Sequence, residues 1–123
     1  MEQKLTPFNK LLDLTGKTAI VTGGAKGIGF GIVTRLAQAG TNVMIADLDE
    51  RAATESAQKL GQQELKVKSI KTDVSSETDV NMMVETVVKE FGSLDIMVNN
   101  AGIFLYLVRN LKHRIIKSTL KFI

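Results

Sequence analysis

The residues of this chain best suited to chemistry lie in two places, a glycine-rich stretch and an aspartate downstream of it. The stretch is Thr22-Gly23-Gly24-Ala25-Lys26-Gly27-Ile28-Gly29. In such a turn Gly23 lets the chain reverse sharply, and Gly27, lacking a Cβ, lets backbone N–H groups approach a pyrophosphate closely. Gly29 lets the helix that follows pack against a sheet. The free N–H groups and positive dipole end of that helix favour an anionic ligand. Glycines also build ordinary loops, so the flanking elements must decide. Asp47 stands 20 residues after Gly27. There a carboxylate can accept hydrogen bonds from the hydroxyls of an adenosine ribose, and it repels a 2′-phosphate, which favours NAD over NADP. Asp47 also reads as a solvated strand end or a cap on the next helix, although Asp49 is better placed to cap. Lys26 pulls the other way. It could pair with a 2′-phosphate, strengthen the hold on a pyrophosphate, or simply stand in solvent.

The flanking elements support the ligand reading. Lys17 to Gly23 (KTAIVTG) is a short apolar run ending in glycine, as expected of a strand buried on both faces. Ile28, Ile32, Val33, Leu36 and Ala37 recur at helical spacing, and Gly40 supplies a stop. Asn42 to Asp47 (NVMIAD) predicts a second buried strand. A helix with Ala53, Ala57 and Leu60 on one face follows, with Gly61 at its end. Lys66 to Thr72 (KVKSIKT) alternates, as a strand near a sheet edge does. Ser76 with Asp79 resembles a capping box ahead of the stripe Val80, Met83, Val84, Val87 and Phe91, which stops at Gly92. Asp95 to Asn99 (DIMVN) predicts a fourth strand. Alternating strands and helices with short connections specify an α/β fold, a Rossmann-like parallel sheet with helices on both faces. The glycine-rich loop then follows a strand and opens a helix, as the dinucleotide reading requires.

Composition narrows the chemistry. The 123 residues suit one domain, and the absence of cysteine excludes disulfides, thiolate metal sites and a cysteine nucleophile. A single histidine, His113, excludes a multi-histidine metal site and argues against a histidine relay. No run approaches the roughly 18 apolar residues that span a bilayer, and Met1 to Asp13 does not read as a secretory signal. A soluble, cytoplasmic protein is expected. The net charge of +3 is unevenly spread: residues 103–123 hold five basic residues (Arg109, Lys112, Arg114, Lys117, Lys121) and no acidic one. Residues 1–102 hold 11 basic and 13 acidic residues, a net of −2. The basic character is therefore no nucleic-acid-binding face on the body of the protein.

Four motifs in order resemble the N-terminal half of the short-chain dehydrogenase/reductase family over Leu14 to Gly102. They are Thr22-Gly23-x-x-x-Gly27-x-Gly29, Asp47, Asp73-Val74 and Asn99-Asn100-Ala101-Gly102. The resemblance implies that Gly23, Lys26, Gly27, Ile28 and Gly29 surround the phosphates of NAD and that Asp47 meets the ribose. It implies adenine contacts at Asp73 and Val74. Asn99, Asn100, Ala101 and Gly102 would support the sheet and border the cofactor. Members of this family exchange a hydride between nicotinamide and an alcohol or carbonyl. They use a Tyr-x-x-x-Lys pair as general acid/base, a serine that orients the substrate oxygen, and an asparagine in a proton relay. This chain departs there: its one tyrosine, Tyr106, is followed four residues on by Asn110. No residue is expected to be catalytic, and the chain reads as a truncated dehydrogenase that keeps its dinucleotide-binding half, residues 1–102.

Residues 103–123 lose the family pattern. Ile103 to Val108 is an apolar run, after which Phe104, Val108, Leu111, Ile115 and Phe122 fit one helical face with basic residues opposite. Two readings stay open: an amphipathic helix for a partner or membrane surface, or the missense tail of a truncated or frame-shifted reading frame. The abrupt loss of acids favours the second. A sheet ending at the fourth strand exposes an outer edge beside Ile96, Met97 and Val98, predicting a marginal product unless self-association or a homologous subunit covers it. The expected partners are thus a dinucleotide and a second polypeptide, not nucleic acid and not a membrane. The alternative function is a noncatalytic nucleotide-binding or partner-binding module.

Overall fold

The computed structural model describes residues 8–101, so Gly102 and every expectation for residues 103–123 lie outside the described residues. The elements in chain order are α1 (Phe8–Leu11), β1 (Thr18–Thr22), α2 (Gly27–Gln38), β2 (Asn42–Asp47), α3 (Glu50–Gly61), β3 (Val67–Lys71), α4 (Glu77–Phe91) and β4 (Ile96–Asn99). The strands form one parallel sheet in the order β3-β2-β1-β4. The chain works outward from β1 to β3, then returns to lay β4 on the other side of β1. That reversal is a topological switch point, and ligands of open parallel sheets bind beyond the carboxyl ends of strands at such a point.

Strand alternation divides the core in two. Val21, Val43, Ile45 and Val98 face α2 and α3, where they pack with Val33, Ala37, Ala53, Ala57 and Leu60. Ile20, Met44, Ala46 and Met97 face the opposite way and pack with Met83 and Val87 of α4. Both faces of β1 and β2 are therefore sealed, and β3, at an edge, is only partly buried, as its alternating sequence predicts. Among the described residues β4 stands at the outer edge of the sheet, as expected, with Met97 and Val98 buried in these two layers and Ile96 partly buried. Among the described residues, no helix is long and apolar enough to cross a membrane.

Two local expectations change, at Ile28 and at the Ser76–Asp79 pair. Ile28 belongs to the apolar repeat of α2 but is 81% exposed, because it occupies the helix's first turn, ahead of the point where α2 meets the sheet. Gly61 ends α3 as expected, and the left-handed residue of the turn after it is Glu64, with φ of 62°. The Ser76–Asp79 pair is half a capping box. Ser76 Oγ accepts from the Asp79 amide (3.2 Å), but the Asp79 carboxylate reaches past Ser76 to the Asp73 amide (2.9 Å). Finally, α1 is a single turn too short to leave a periodic signal. The segment after it is fastened to the end of α2 by the Leu14 amide on the Ala39 carbonyl (2.8 Å).

Candidate functional site at the carboxyl ends of the strands

The parallel register sets Thr22 of β1 level with Ala46 of β2 and Asn99 of β4, and Asp47 level with Lys71 of β3. The four sequence motifs therefore emerge at one end of the sheet. Beyond Thr22, the Gly23 amide extends the ladder to the Ala46 carbonyl (2.8 Å) before the chain turns at φ of +65°. A Cβ on Gly23 would lie 2.9 Å from Ala101 Cα, so this glycine serves both the reversal and the close approach of the segment leaving β4.

That segment holds the loop from below. Thr22 Oγ1 accepts from the Asn100 and Ala101 amides, both at 3.1 Å, and Asn100 Nδ2 donates to the Gly23 carbonyl (3.1 Å). Gly29 completes the lock: a Cβ there would lie 2.1 Å from the Gly23 carbonyl oxygen and 2.4 Å from Asn100 Nδ2. Its small size thus lets α2 close on the loop's own first turn and on Asn100, rather than on the sheet as expected. Asn99 is exposed.

The far side of the loop is held by β2 and α3. Asp47 Oδ2 accepts from the Ala25 amide (3.1 Å), and Asp47 Oδ1 accepts from the Asp49 amide (3.0 Å). Ser56 on α3 donates to the Ala25 carbonyl (2.7 Å). Asp49, not Asp47, caps α3, accepting from the Ala52 amide (3.1 Å), while its other oxygen pairs with Lys26 Nζ (3.0 Å). The Ala52 amide, then the Lys26 ammonium, hold the Asp49 carboxyl below the ordinary carboxylate range.

Between these supports the start of α2 is open. Lys26 occupies the cap position with extended backbone and no side-chain cap. The first bond of the helical ladder runs from the Phe30 amide to the Lys26 carbonyl (3.2 Å), leaving the Gly27, Ile28 and Gly29 amides ahead of it. Gly27 is exposed with φ of +58°, and a Cβ on it would meet nothing within 4 Å, so backbone conformation rather than packing calls for glycine. Gly27 and Ile28 are exposed and Gly29 is buried; amides at a dipole's positive end, on a loop fixed from both sides, suit an anion.

Asp73 and Val74 follow β3 at the same end of the sheet. The Asp73 carboxylate accepts from Ser75 Oγ (2.6 Å) and the Ser75 amide (2.9 Å), and these two bonds lower its pKa. Val74 is half-buried against the α4 layer. The sequence reading gives Thr22 no task, leaves Ser56 unremarked, and pairs Asp79 with Ser76 rather than with the Asp73 amide. A threonine at the end of a buried strand, where its hydroxyl must find partners, was the available signal for the first. Ser56 and Asp79 act across 31 and 6 residues respectively, and only the fold brings them to their partners.

A doubly wound parallel sheet with a glycine loop after β1 defines a Rossmann-like α/β protein. The short chain dehydrogenase family model matches residues 17–121, reaching beyond the last of the four motifs, and the chain belongs to that oxidoreductase family. It is 48% identical over 90 residues to 3beta-hydroxysteroid dehydrogenase 2 of Eggerthella lenta, covering 73% of this chain and 35% of that protein. It is 43% identical over 91 residues to galactitol 2-dehydrogenase of Agrobacterium fabrum, covering 74% and 34%. Among solved structures it is similar to a 3-ketoacyl-(acyl-carrier-protein) reductase from Brucella melitensis complexed with NADH, at 40% identity and TM-score 0.69 over 74% of this chain and 36% of that one. A hydroxysteroid dehydrogenase from Escherichia coli matches at 34% identity and TM-score 0.72, over 74% and 37%. The chain thus spans about a third of the length of these relatives.

Proposed function

We propose that this chain binds NAD as the nucleotide-holding part of an oxidoreductase acting on alcohol or carbonyl groups. The observation that carries the reading is the uncapped start of α2, beside a carboxylate that fastens the same loop to the end of β2. The Gly27, Ile28 and Gly29 amides would hold the pyrophosphate, with Gly23 and Lys26 shaping the turn. Each Asp47 oxygen accepts one protein hydrogen bond and keeps a lone pair for a ribose hydroxyl. Asp73 and Val74 would border the adenine, and Asn99, Asn100, Ala101 and Gly102 the rest of the cofactor. When bound, the nicotinamide ring supplies the carbon that gives or takes a hydride. The acid carboxylate at the ribose favours NAD over NADP.

The same reading gives no residue of this chain a catalytic role, because Tyr106 has Asn110 where a Tyr-x-x-x-Lys pair needs lysine. Binding without turnover by the isolated chain follows, with AMP competing almost as well as NAD. Calorimetric titration with NAD, NADP and AMP, read beside backbone NMR, tests this. NAD should perturb the amides of Gly27 and Ala25, and NADP should bind more weakly. Unperturbed spectra at saturating NAD would overturn the reading, and so would hydride transfer by the chain alone.

A further inference from the structure

Resting on the NAD reading above, we propose that Asp49 is a specificity-determining residue, which keeps Lys26 from serving a 2′-phosphate and so holds the site to NAD. The phosphate loop contains one cation, Lys26, in the position where a basic side chain would reward a phosphorylated ribose. Its ammonium is turned instead to the β2–α3 turn, 3.0 Å from Asp49 Oδ2. Asp49 is held in place for that contact from two directions. Its amide donates to Asp47 Oδ1 (3.0 Å), and its Oδ1 accepts from the Ala52 amide at the start of α3 (3.1 Å). The carboxylate is therefore fixed by the backbone, and the flexible lysine stem comes to it.

The arrangement makes two acids act on one loop. Asp47 binds the Ala25 amide and Asp49 binds the neighbouring Lys26 side chain, so successive loop residues are fastened to successive acids of the same turn. A phosphate on the sugar that Asp47 holds would arrive beside both carboxylates, with the nearby cation already paired. The pair is exposed, the lysine side chain by 72% and the aspartate by 49%. Its influence is therefore modest and weakens with salt. A modest term suffices for a bias between two cofactors that differ by one phosphate.

The test uses the full chain with Asp49→Asn, Lys26→Gln and the double variant, titrated with NAD, NADP, AMP and 2′,5′-ADP at low salt. Asparagine caps a helix as well as aspartate does, so Asp49→Asn removes the charge while keeping the cap on α3. The expected result is a rise of about two- to five-fold in affinity for NADP and 2′,5′-ADP, the scale of an exposed charge pair. Affinity for NAD and AMP should stay within about two-fold, and the gain should vanish in the Lys26→Gln background and shrink at high salt. An unchanged NADP-to-NAD ratio in Asp49→Asn, with NAD still bound, overturns this inference and leaves the NAD reading standing. A gain that persists without Lys26 also overturns it, because the lysine would then not be what Asp49 restrains. Failure of the unaltered chain to bind either NAD or AMP removes the NAD reading itself, and this inference with it.

Discussion

The starts of α2 and α4 solve one problem in opposite ways. Each helix follows a strand of the parallel sheet after a short turn, and each begins with amides that the helical ladder cannot use. At α4, Ser76 Oγ takes the Asp79 amide (3.2 Å), and Asp79 in turn takes the Asp73 amide (2.9 Å), so side chains close the turn. The start of α3 is closed the same way by Asp49. At α2 the cap position is Lys26, whose side chain has no acceptor, and the amides of Gly27, Ile28 and Gly29 precede the first ladder bond with no side-chain cap, the first two on exposed residues. Leaving out a cap costs about 1 kcal/mol. Omitting it at the loop most tightly supported from beneath, by Thr22, Asn100 and Asp47, makes sense where a ligand supplies the acceptor.

The largest test of that contrast concerns the support. Gly29→Ala would drive a Cβ to 2.1 Å from the Gly23 carbonyl oxygen, a rigid backbone atom, so α2 and the loop must separate. The expected cost is about 3 kcal/mol in denaturant unfolding, with nucleotide binding lost. Gly31, two residues on in the same helix, has nothing within 4 Å of a would-be Cβ. Gly31→Ala should stabilise by about 0.5–1 kcal/mol and leave binding intact. If both substitutions cost the same, packing of α2 against Asn100 is not what sets the loop.

The middle test exchanges the two ways of starting a helix. Ser76→Ala should cost about 1 kcal/mol in stability without changing nucleotide affinity. Lys26→Ser places a capping hydroxyl on an extended residue, with φ of −143°, and should add about 0.5–1 kcal/mol while weakening NAD binding. Lys26→Gln, which removes the same charge without a short hydroxyl, separates capping from electrostatics. A Lys26→Ser chain that gains stability and binds NAD as well as Lys26→Gln would detach the open amides from the ligand.

The contrast also marks what could be read from residue order. Periodicity shows at once where the sheet lies, because strands sealed on both faces need runs such as Ala19-Ile20-Val21 and helices need stripes such as Met83 and Val87. The glycines and Asp47 were legible as types at a spacing. Their partners were not. Whether Asp47 meets a ribose, a helix or the loop turns on an Ala25 amide 22 residues away, and whether Lys26 is free turns on Asp49, 23 residues away. Ile28 misled because the same apolar repeat serves a buried helix face and an exposed first turn. Local pattern carries propensity, while contacts across the turn depend on how β1 and β2 pair.

The smallest expected effect is acid sensitivity, and it sharpens the comparison without altering the loop. Asp49 and Asp73 close the turns before α3 and α4, and both carboxyls are held below the usual range. The Ala52 amide and Lys26 do this for Asp49, and the Ser75 hydroxyl and amide for Asp73. A carboxylate with a lowered folded-state pKa stabilises the fold above its unfolded value, about pH 4, and loses that contribution as pH falls through the folded value. The amides of Ala52 and Ser75 should therefore titrate together with these acids, with midpoints below the ordinary carboxylate value. Asp49→Asn should abolish the transition at Ala52 alone. Gly27 and Ile28, which no carboxylate caps, should show no matching step. A step at Gly27 with the Asp49 midpoint would mean that the Lys26–Asp49 pair governs the loop's conformation as well as its charge, and the two helix starts would then be coupled rather than independent.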